Sequence, residues 1–403
     1  MGKLSFKGYL APASVGFYLA FFWLQGTYDL ALAVLTLGAL LVLFFAPEVQ
    51  HSPWPWPDFF VIAFVVSLLL SILRSGHVPV SLLTSTPFLP AILIYLLLSR
   101  FMSDTYSLWL VYAGASVGAA LVAVTVLVGA WVGPADPTLL VKSLPTAILV
   151  EPNDVLLLAV IVPLILVVSL MAKSLWTRRI ALFGVSGCFA AIVVVHSRAA
   201  LLAAVFGVVV VLAFQGVRWM WLAMLSACGG LFFATDALRG FPMLLKFANR
   251  DLICNRLPLW AAAVRLWYEA PFFGHGADSY RDLYRQQVIA LELPVCSIVD
   301  HRLTPWPHNL FLELLSSQGL VGTLPYLALI IWCFKRAYVA AHRVGSAYQL
   351  LAVGLLGSLS AFCLAALVEL SFLRYWVVIV ASTLIGLTAS LESLSTQHRQ
   401  QAP

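Results

Sequence analysis

A histidine and two spaced glycines stand out at a junction of polar and apolar sequence. Trp306-Pro307-His308-Asn309 is followed after nine residues by Gly319-Leu320-Val321-Gly322. The His-Asn pair lies where the longest polar segment, 236–307, meets an apolar run that continues past Ile331. An imidazole at a membrane edge could accept a proton from a hydroxyl group. It could also be an ordinary interfacial histidine, and these residues alone leave both readings open.

Two arginines could supply fixed positive charge. Arg198 interrupts apolar sequence on both sides, and a charge so placed is costly and often functional. Arg256 precedes an amphipathic stretch of the polar segment. Guanidinium groups stay protonated and donate paired hydrogen bonds to phosphate, so the two could hold a pyrophosphate leaving group. The alternatives are an arginine that snorkels to the interface and a solvated loop arginine.

Composition determines the class of protein that positions these side chains. Hydrophobic residues form 62% of the 403-residue chain and charged residues 10%, with a mean hydropathy of +0.98. Continuous apolar runs such as 155–172 then predict an all-α, polytopic membrane protein. The formal charge of +6 includes no dense basic run, which gives no case for nucleic-acid binding.

Apolar runs separated by charge or by turn residues predict about twelve transmembrane helices. One membrane domain, 1–403, would carry one insertion, 236–307, between the ninth and tenth spans. The predicted spans are 9–25, 29–46, 58–73, 81–99, 106–132, 153–172, 180–196, 199–215, 219–235, 309–334, 347–369 and 373–392.

The distribution of basic residues predicts the orientation. With the N-terminus in the cytoplasm, eleven Lys and Arg residues fall on the cytoplasmic side and four in short external loops. Both termini are then cytoplasmic, while segment 236–307 and His308 face outward, towards the periplasm of a bacterium. Cys254 and Cys296 both fall in this segment, so a disulfide between them is plausible in a periplasmic loop.

The long loop has the pattern of ordered structure. Helical spacing of apolar residues from Pro258 to Glu269 predicts a helix on the membrane surface, ended by Ala270-Pro271. Arg265 and Glu269 form an i, i+4 pair on it. Gly274-His275-Gly276 predicts a turn, and a second helix is expected from about Asp278 or Ser279.

Motifs for nucleotide or metal chemistry are missing from the sequence. It has no Gly-Lys-Ser/Thr phosphate loop, no Asp-x-Asp pair for a metal-held nucleotide sugar and no zinc-ligand spacing. We therefore expect no cofactor and no nucleotide. The energy for a reaction at the outer face would have to arrive within the substrate, for which a lipid-linked activated donor is the natural candidate.

Four stretches, in order, resemble the O-antigen ligase and O-antigen polymerase superfamily. His308-Asn309 with Gly319-x-x-Gly322 is similar to its signature. The other stretches are Glu151-Pro152-Asn153-Asp154, Ser197-Arg198-Ala199, and Arg256-Leu257-x-Leu259-Trp260 with Pro271-x-x-Gly274-x-Gly276. His275 departs from the apolar residue expected at its position. The matches span about 150–322, and the first five spans agree only in hydropathy.

The resemblance implies a metal-independent glycosyltransferase of the bacterial inner membrane with a periplasmic active site. Its donor would be a glycan on undecaprenyl pyrophosphate, and its acceptor, for a ligase, a sugar hydroxyl of the lipid A core. The family's essential histidine corresponds to His308 and its essential arginines to Arg198 and Arg256. We expect inverting displacement, with His308 taking or orienting the hydroxyl proton and the arginines holding the pyrophosphate.

Five further residues are candidates for contact with substrate. Asn309 could bind sugar or fix the imidazole, and Gly319 and Gly322 would let its helix pack closely. Glu369 and Arg374 flank the last external turn, where they could pair with each other or touch substrate. The candidates are Asn309, Arg265, Asn153, Asp154 and Glu369.

Other functions stay open at this point. A polymerase, which moves a growing glycan onto another lipid-linked repeat unit, would use the same residues. A protein-glycosylating relative is disfavoured because no extra domain follows the last span. A transporter or flippase predicts charges at the middle of spans or paired broken helices. Glu313 is the only acidic residue well inside a predicted span, and the polar residues gather at one external face.

Overall fold

The computed structural model describes residues 9–45, 56–76, 78–102, 104–134, 136–216, 256–289, 306–342 and 348–400. These residues form helices and short connections, and their only β contact is an isolated bridge between Leu24 and Thr146. The predicted all-α fold is therefore confirmed for the described part of the chain.

Fifteen α-helices follow one another in the described residues, with a short 3-10 helix, Pro152–Val155, before the eighth. They are α1 Leu10–Phe21, α2 Tyr28–Phe45, α3 Trp56–Arg74, α4 Val78–Thr84, α5 Phe88–Phe101, α6 Thr105–Val132, α7 Pro137–Ser143, α8 Leu156–Met171, α9 Leu175–Val194, α10 Arg198–Phe214, α11 Leu257–Glu269, α12 Tyr280–Ile289, α13 Leu310–Ala341, α14 Gln349–Val368 and α15 Tyr375–Gln400.

Several of these helices can cross a bilayer. Among the described residues seven are long and apolar enough: α3, α6, α8 with its 3-10 helix, α9, α13, α14 and α15. The pair α4 and α5 adds an eighth if it forms one span, and α1, α2 and α10 are shorter apolar helices. The chain is thus a multi-pass membrane protein. The predicted span 219–235 lies outside the described residues, so the count of twelve stays a prediction.

The predicted span 81–99 is not one straight helix. α4 ends at Thr84 and α5 begins at Phe88, with a bend of 41° between them. Pro87 directly precedes α5. Proline has no backbone N–H to continue the helical hydrogen bonds, so the chain breaks and restarts here.

Helix α8 is the centre of the helical assembly. From Leu156 to Ser169 every residue is buried, and the helix packs against α6, α9, α10 and α14. A helix that is apolar on all sides belongs inside a bundle of other helices. The 3-10 helix that begins it carries Asn153 and Asp154, so these two polar residues are held on a rigid central element.

Two glycines bring α10 and α14 into close contact. A Cβ atom on Gly207 would lie 2.8 Å from the Gly357 carbonyl oxygen, and one on Gly357 would lie 2.7 Å from the Gly207 carbonyl oxygen. Small residues allow such backbone approach between membrane helices. Gly207 follows Arg198 by nine positions, and Gly357 precedes Glu369 by twelve. The crossing therefore brings the start of α10 and the end of α14 to the same side of the assembly.

Helix α13 is interrupted at Gly319, whose φ of 64° and ψ of −160° are not helical. This backbone conformation is available almost only to glycine. The break divides α13 into a short segment, 310–318, and a long segment, 320–341. His308 directly precedes the short segment.

The loop segment Pro271–Gly276, here called the 271–276 strap, fills the break in α13. Four backbone hydrogen bonds join them: Leu320 N to Pro271 O at 2.9 Å, Val321 N to Phe272 O at 3.0 Å, His275 N to Ser316 O at 2.9 Å and Gly276 N to Ser317 O at 2.9 Å. A Cβ atom on Gly319 would lie 2.4 Å from the backbone of Phe272, and one on Gly274 would lie 2.3 Å from that of Ser317. The stretch with Gly274 and Gly276 and the stretch with Gly319 and Gly322, both of which resemble the family, therefore contact each other.

Candidate active site

His308 lies at the start of α13 in a strained backbone conformation. Its φ is +52°, which non-glycine residues seldom adopt. Asn309 is the N-cap of α13, since its side-chain oxygen accepts hydrogen bonds from the backbone N–H groups of Phe311 and Leu312, both at 3.1 Å. The cap fixes where the helix begins and holds the adjacent imidazole at its end. Such strain is often found at functional sites.

Glu369, which follows α14, holds the imidazole of His308. Its Oε1 lies 2.7 Å from Nδ1 of His308, and the exposed fractions of the two side chains are 3% and 14%. An ionised carboxylate only accepts hydrogen bonds, so Nδ1 carries the proton. Nε2 of the neutral ring is then a proton acceptor. This is the arrangement by which a carboxylate orients a histidine base.

The second carboxylate oxygen of Glu369 pairs with Arg256. Asn153 contributes a further hydrogen bond to this carboxylate. Burial by itself would raise the pKa of Glu369. The hydrogen bond from His308 and the charge of Arg256 outweigh burial and hold the pKa below the ordinary value of glutamate. Glu369 therefore stays ionised as the link between the candidate base and one candidate arginine.

Arg198 belongs to the same cluster. It is the first residue of α10, whose N-cap Ser197 accepts a hydrogen bond from Ala200 N and donates one to Oδ1 of Asn153 at 3.1 Å. The guanidinium groups of Arg198 and Arg256 are close enough to repel each other electrostatically. The structure thus brings together Arg198, Arg256, Asn153, Glu369 and His308.

A second ion-pair cluster supports the first. Arg374 pairs with buried Asp154, and its Nη2 lies 2.6 Å from Oε2 of Glu151. Its guanidinium carbon lies 4.5 Å from the ring centre of Trp306, and that ring lies 5.6 Å from the imidazole ring of His308. Arg374 therefore fixes one wall beside the imidazole through charge and ring contacts.

The possible pairing of Glu369 with Arg374 is not found. Glu369 contacts His308 and Arg256, whereas Arg374 takes the two carboxylates that precede α8. Asp154 is 1% exposed, and its oxygens also accept hydrogen bonds from Trp376 Nε1 and from two backbone N–H groups. Asp154 thus contacts protein groups at the border of the site.

The remaining candidates lie at different distances from the cluster. The side chain of Asn309 is engaged by its cap and by a hydrogen bond from Nδ2 to Leu367 O at 2.9 Å. Arg265 is 46% exposed and lies 3.9 Å from Glu269. It is nine positions after Arg256 and hence roughly 13 Å away along the helix axis. Cys254 and Cys296 lie outside the described residues, so their disulfide stays a prediction.

The cluster combines a proton acceptor with two guanidinium groups. Arg256 pairs with Glu369, and Arg198 and Arg256 both stand where a helix begins. Helix N-termini carry a partial positive charge that favours anions. Among the described residues no group of three or more His, Cys, Asp or Glu side chains is arranged to hold a metal ion.

The contacts of Glu369 with His308 and Arg256 are not apparent from the sequence. An acidic residue at the end of an apolar run was the available signal, but its partners lie 61 and 113 positions away. The pairing of Arg374 with Glu151 and Asp154 is equally remote in sequence, at 223 and 220 positions.

Comparison with known families matches residues 183–327 to the family described as O-antigen ligase. No curated protein matches the chain. The matched range includes α10, the 271–276 strap and the broken start of α13, while Asn153 and Glu369 lie outside it. The match supports a membrane glycosyltransferase of ligase or polymerase type. Residues 183–327, which carry Arg198, Arg256 and His308, are therefore similar to the O-antigen ligase family.

Proposed function

We propose that this protein is an O-antigen ligase. It would move O-antigen polysaccharide from undecaprenyl pyrophosphate to a sugar hydroxyl of the lipid A core, by inverting transfer without a metal ion. The observation that carries the proposal is the bridge from His308 through Glu369 to Arg256, with Arg198 beside it. This bridge joins a proton acceptor to the positive charge that a pyrophosphate requires.

His308 is the proposed general base. Nε2 takes the proton of the acceptor hydroxyl while that oxygen attacks the anomeric carbon of the donor glycan. The new carbon–oxygen bond forms as the bond from the anomeric carbon to the phosphate oxygen breaks, and the configuration inverts. The electron pair of the broken bond leaves with undecaprenyl pyrophosphate. Glu369 stabilises the imidazolium that results, as the buried carboxylate does in other histidine-dependent transfers.

Arg198 and Arg256 are proposed to bind the pyrophosphate and stabilise its departure. The negative charge that develops on the leaving oxygen is met by guanidinium groups that are already in place, so little reorganisation is needed. In the free protein, Glu369 neutralises part of the positive charge of the two arginines. Their guanidinium groups can therefore lie close together although they repel each other. A dianionic pyrophosphate can then bind beside the two guanidinium groups.

The proposed reaction takes place at the periplasmic face of the bacterial inner membrane. The excess of basic residues in the predicted cytoplasmic loops supports this orientation. No ATP is available in the periplasm, so a donor activated by its own pyrophosphate suits the site. The donor and acceptor are both lipids, and they can reach the protein laterally through the bilayer.

Transfer between purified components tests the proposal. Protein reconstituted in vesicles with undecaprenyl-pyrophosphate-linked glycan and lipid A-core acceptor is expected to form the conjugate, and His308→Ala is expected to lose about 10²–10⁴-fold in rate. Activity should persist after treatment with a chelator such as EDTA. Wild-type transfer by the His308→Ala protein would contradict the assignment of the base.

A polymerase is the competing function within the same family. The polysaccharide profile of a deletion strain separates the two. Core lipid without long glycan, together with accumulation of lipid-linked glycan, supports the ligase. Core lipid that carries a single repeat unit supports the polymerase instead.

A further inference from the structure

Glu313 is a buried carboxylate that the proposed reaction does not use. It lies in the first turn of α13 and is 7% exposed. Its Oε1 accepts a hydrogen bond from Phe372 N at 3.2 Å, and the side chain of Ser371 lies beside it. Burying a carboxylate is costly, and an apolar side chain would fill this position more cheaply. Because of this cost, the contact between Glu313 and the turn that follows Glu369 indicates that Glu313 has a role in the structure of the site.

The short segment 310–318 of α13 needs anchors of its own. At the break the N–H groups of Leu320 and Val321 bind the strap instead of the preceding helical turn, so contacts outside α13 fix the direction of the short segment. At its C-terminal end the 271–276 strap binds the carbonyl groups of Ser316 and Ser317. A second anchor must hold its N-terminal end, where His308 is located.

Two hydrogen bonds form this N-terminal anchor, one on each side of Glu369. Asn309 Nδ2 donates to Leu367 O, two residues before Glu369, and Glu313 accepts from Phe372 N, three residues after it. Within α13, the backbone N–H of Glu313 donates to Asn309 O at 2.9 Å. Asn309 and Glu313, the two residues that form the N-terminal anchor, therefore belong to the same helical turn. The segment that carries Glu369 is thereby held against the segment that follows His308.

We propose that Glu313 is a positioning residue for glycosyl transfer, which holds the 369–372 turn so that Glu369 meets His308. The proposal rests on the proposed function, because it concerns the same histidine base. Among the described hydrogen bonds and ion pairs, none joins Glu313 to His308 or to Glu369. It acts through the backbone of Phe372 on the distance and angle between the imidazole and its carboxylate.

The contact requires an acceptor oxygen at the correct reach. Glutamine keeps the length of the side chain and a carbonyl oxygen that can accept from Phe372 N. Aspartate keeps the carboxylate but is one methylene shorter, so its oxygen falls short of that N–H group. A comparison of Glu313→Gln with Glu313→Asp therefore distinguishes the effect of side-chain length from the effect of charge.

Transfer kinetics of these variants test the proposal. We expect Glu313→Gln to stay within about 3-fold of wild-type kcat, and Glu313→Asp to lose about 10–100-fold in kcat with KM for the lipid-linked donor changed by less than about 3-fold. Hydrogen exchange of the peptide 367–374 should be faster in Glu313→Asp than in Glu313→Gln. Wild-type kcat and exchange in Glu313→Asp would overturn the proposal, as would equal loss of kcat in both variants.

Asp58→Asn is the matched control. Asp58 is also buried, and it pairs with Tyr95 and Arg100. It lies near the start of α3, roughly 24 Å along the helix axis from Arg74 at the other end. At that end the neighbouring Ser75 packs against the strap, since a Cβ atom on Gly276 would lie 2.6 Å from Ser75 Cα. Equal kcat losses in Asp58→Asn and Glu313→Asp would overturn the positioning role, because they would mean a general loss of fold. If the wild-type protein showed no transfer, the proposed function would be overturned. Hydrogen exchange of the peptide 367–374 would still report on the contact between Glu313 and Phe372.

Discussion

The imidazole of His308 and the carboxylate of Glu369 lie 2.7 Å apart although 61 positions separate them in the chain. His308 follows the long loop, and Glu369 follows α14, which is the last but one of the described helices. The pairing fixes which imidazole nitrogen carries the proton, and it directs the other nitrogen to act as acceptor. Because Glu369 also binds Arg256, it couples the proton acceptor to the anion-binding side of the site.

Replacement of Glu369 by glutamine should slow transfer by about 10²–10⁴-fold in kcat, since an amide no longer enforces the required tautomer or stabilises the imidazolium. The measurement is initial rate with purified donor and acceptor at saturating concentrations. Glu269→Gln serves as control, because that carboxylate is 45% exposed and lies on the surface of α11. Equal rates for wild type and Glu369→Gln would rule out the carboxylate's part in the reaction.

The contribution of Glu369 to the free energy of unfolding should decrease as the pH falls through the acidic range. His308 and Arg256 hold its pKa below the ordinary value although burial opposes them. A depressed pKa means that the contribution is complete above the unfolded value of about 4.3, and is lost as the pH falls through the lower folded value. We expect the difference in melting temperature between wild type and Glu369→Gln to be constant above about pH 5 and to shrink below about pH 4. A difference that grows on acidification would contradict this.

Substitution of either site arginine by lysine should reduce kcat by about 10–10³-fold, with a larger loss for alanine. Lysine keeps the charge but loses the planar pair of donors that matches a pyrophosphate. Arg198→Lys and Arg256→Lys are compared with Arg179→Lys, a change at an exposed residue of α9. The assignment fails if both site variants transfer glycan as fast as the Arg179 control.

Alanine at Gly319 should disrupt the contact between α13 and the 271–276 strap. The backbone conformation costs a non-glycine residue about 1–3 kcal/mol, and the added Cβ atom would also clash with Phe272. We expect a lower melting temperature together with lost transfer. Gly187→Ala, where no atom lies within 4 Å of the added Cβ, should leave both unchanged. Equal melting temperatures for the two variants would argue against the strained break.

Removal of the Arg374 charge should destabilise the protein by about 3–5 kcal/mol, because Asp154 would be left buried without its cation. Arg374→Met is compared with Arg336→Met, whose guanidinium is 39% exposed and pairs with Glu392 at 2.9 Å. An exposed pair contributes only about 0–1 kcal/mol. Thermal unfolding in detergent gives the comparison, and similar shifts for both variants would contradict a buried role for Arg374.

The helices could be predicted because apolar length is a local property of sequence. The predicted start of the loop helix at Pro258 agrees with α11, Leu257–Glu269, and the predicted span 106–132 agrees with α6, Thr105–Val132. The breaks were harder to place. Short polar runs, Thr84-Ser85-Thr86 and Ser316-Ser317-Gln318, precede the two breaks, but each lies within a longer apolar stretch. The mean hydropathy of a whole span therefore does not register the change in backbone direction.

The site was predicted only in part because its residues are distant in sequence. His308, Arg198 and Arg256 carried recognisable types and spacings. The links between them depend on packing, such as the crossing of Gly207 with Gly357 that brings the start of α10 to the end of α14. An acidic residue after an apolar run does not indicate which of several cations it meets. The sequence therefore left open whether Glu369 pairs with Arg374 or touches substrate.

The break at Gly319 has a consequence for the protein in membranes of different thickness. A membrane helix that is too long or too short for its bilayer responds by tilting. In α13 the 271–276 strap binds both sides of the break, at Ser316 and Ser317 before Gly319 and at Leu320 and Val321 after it, so the segment 320–341 is held at a fixed angle to the segment next to His308. A change in the tilt of 320–341 would therefore be passed on to His308, and we expect transfer to depend on the acyl-chain length of the surrounding lipids.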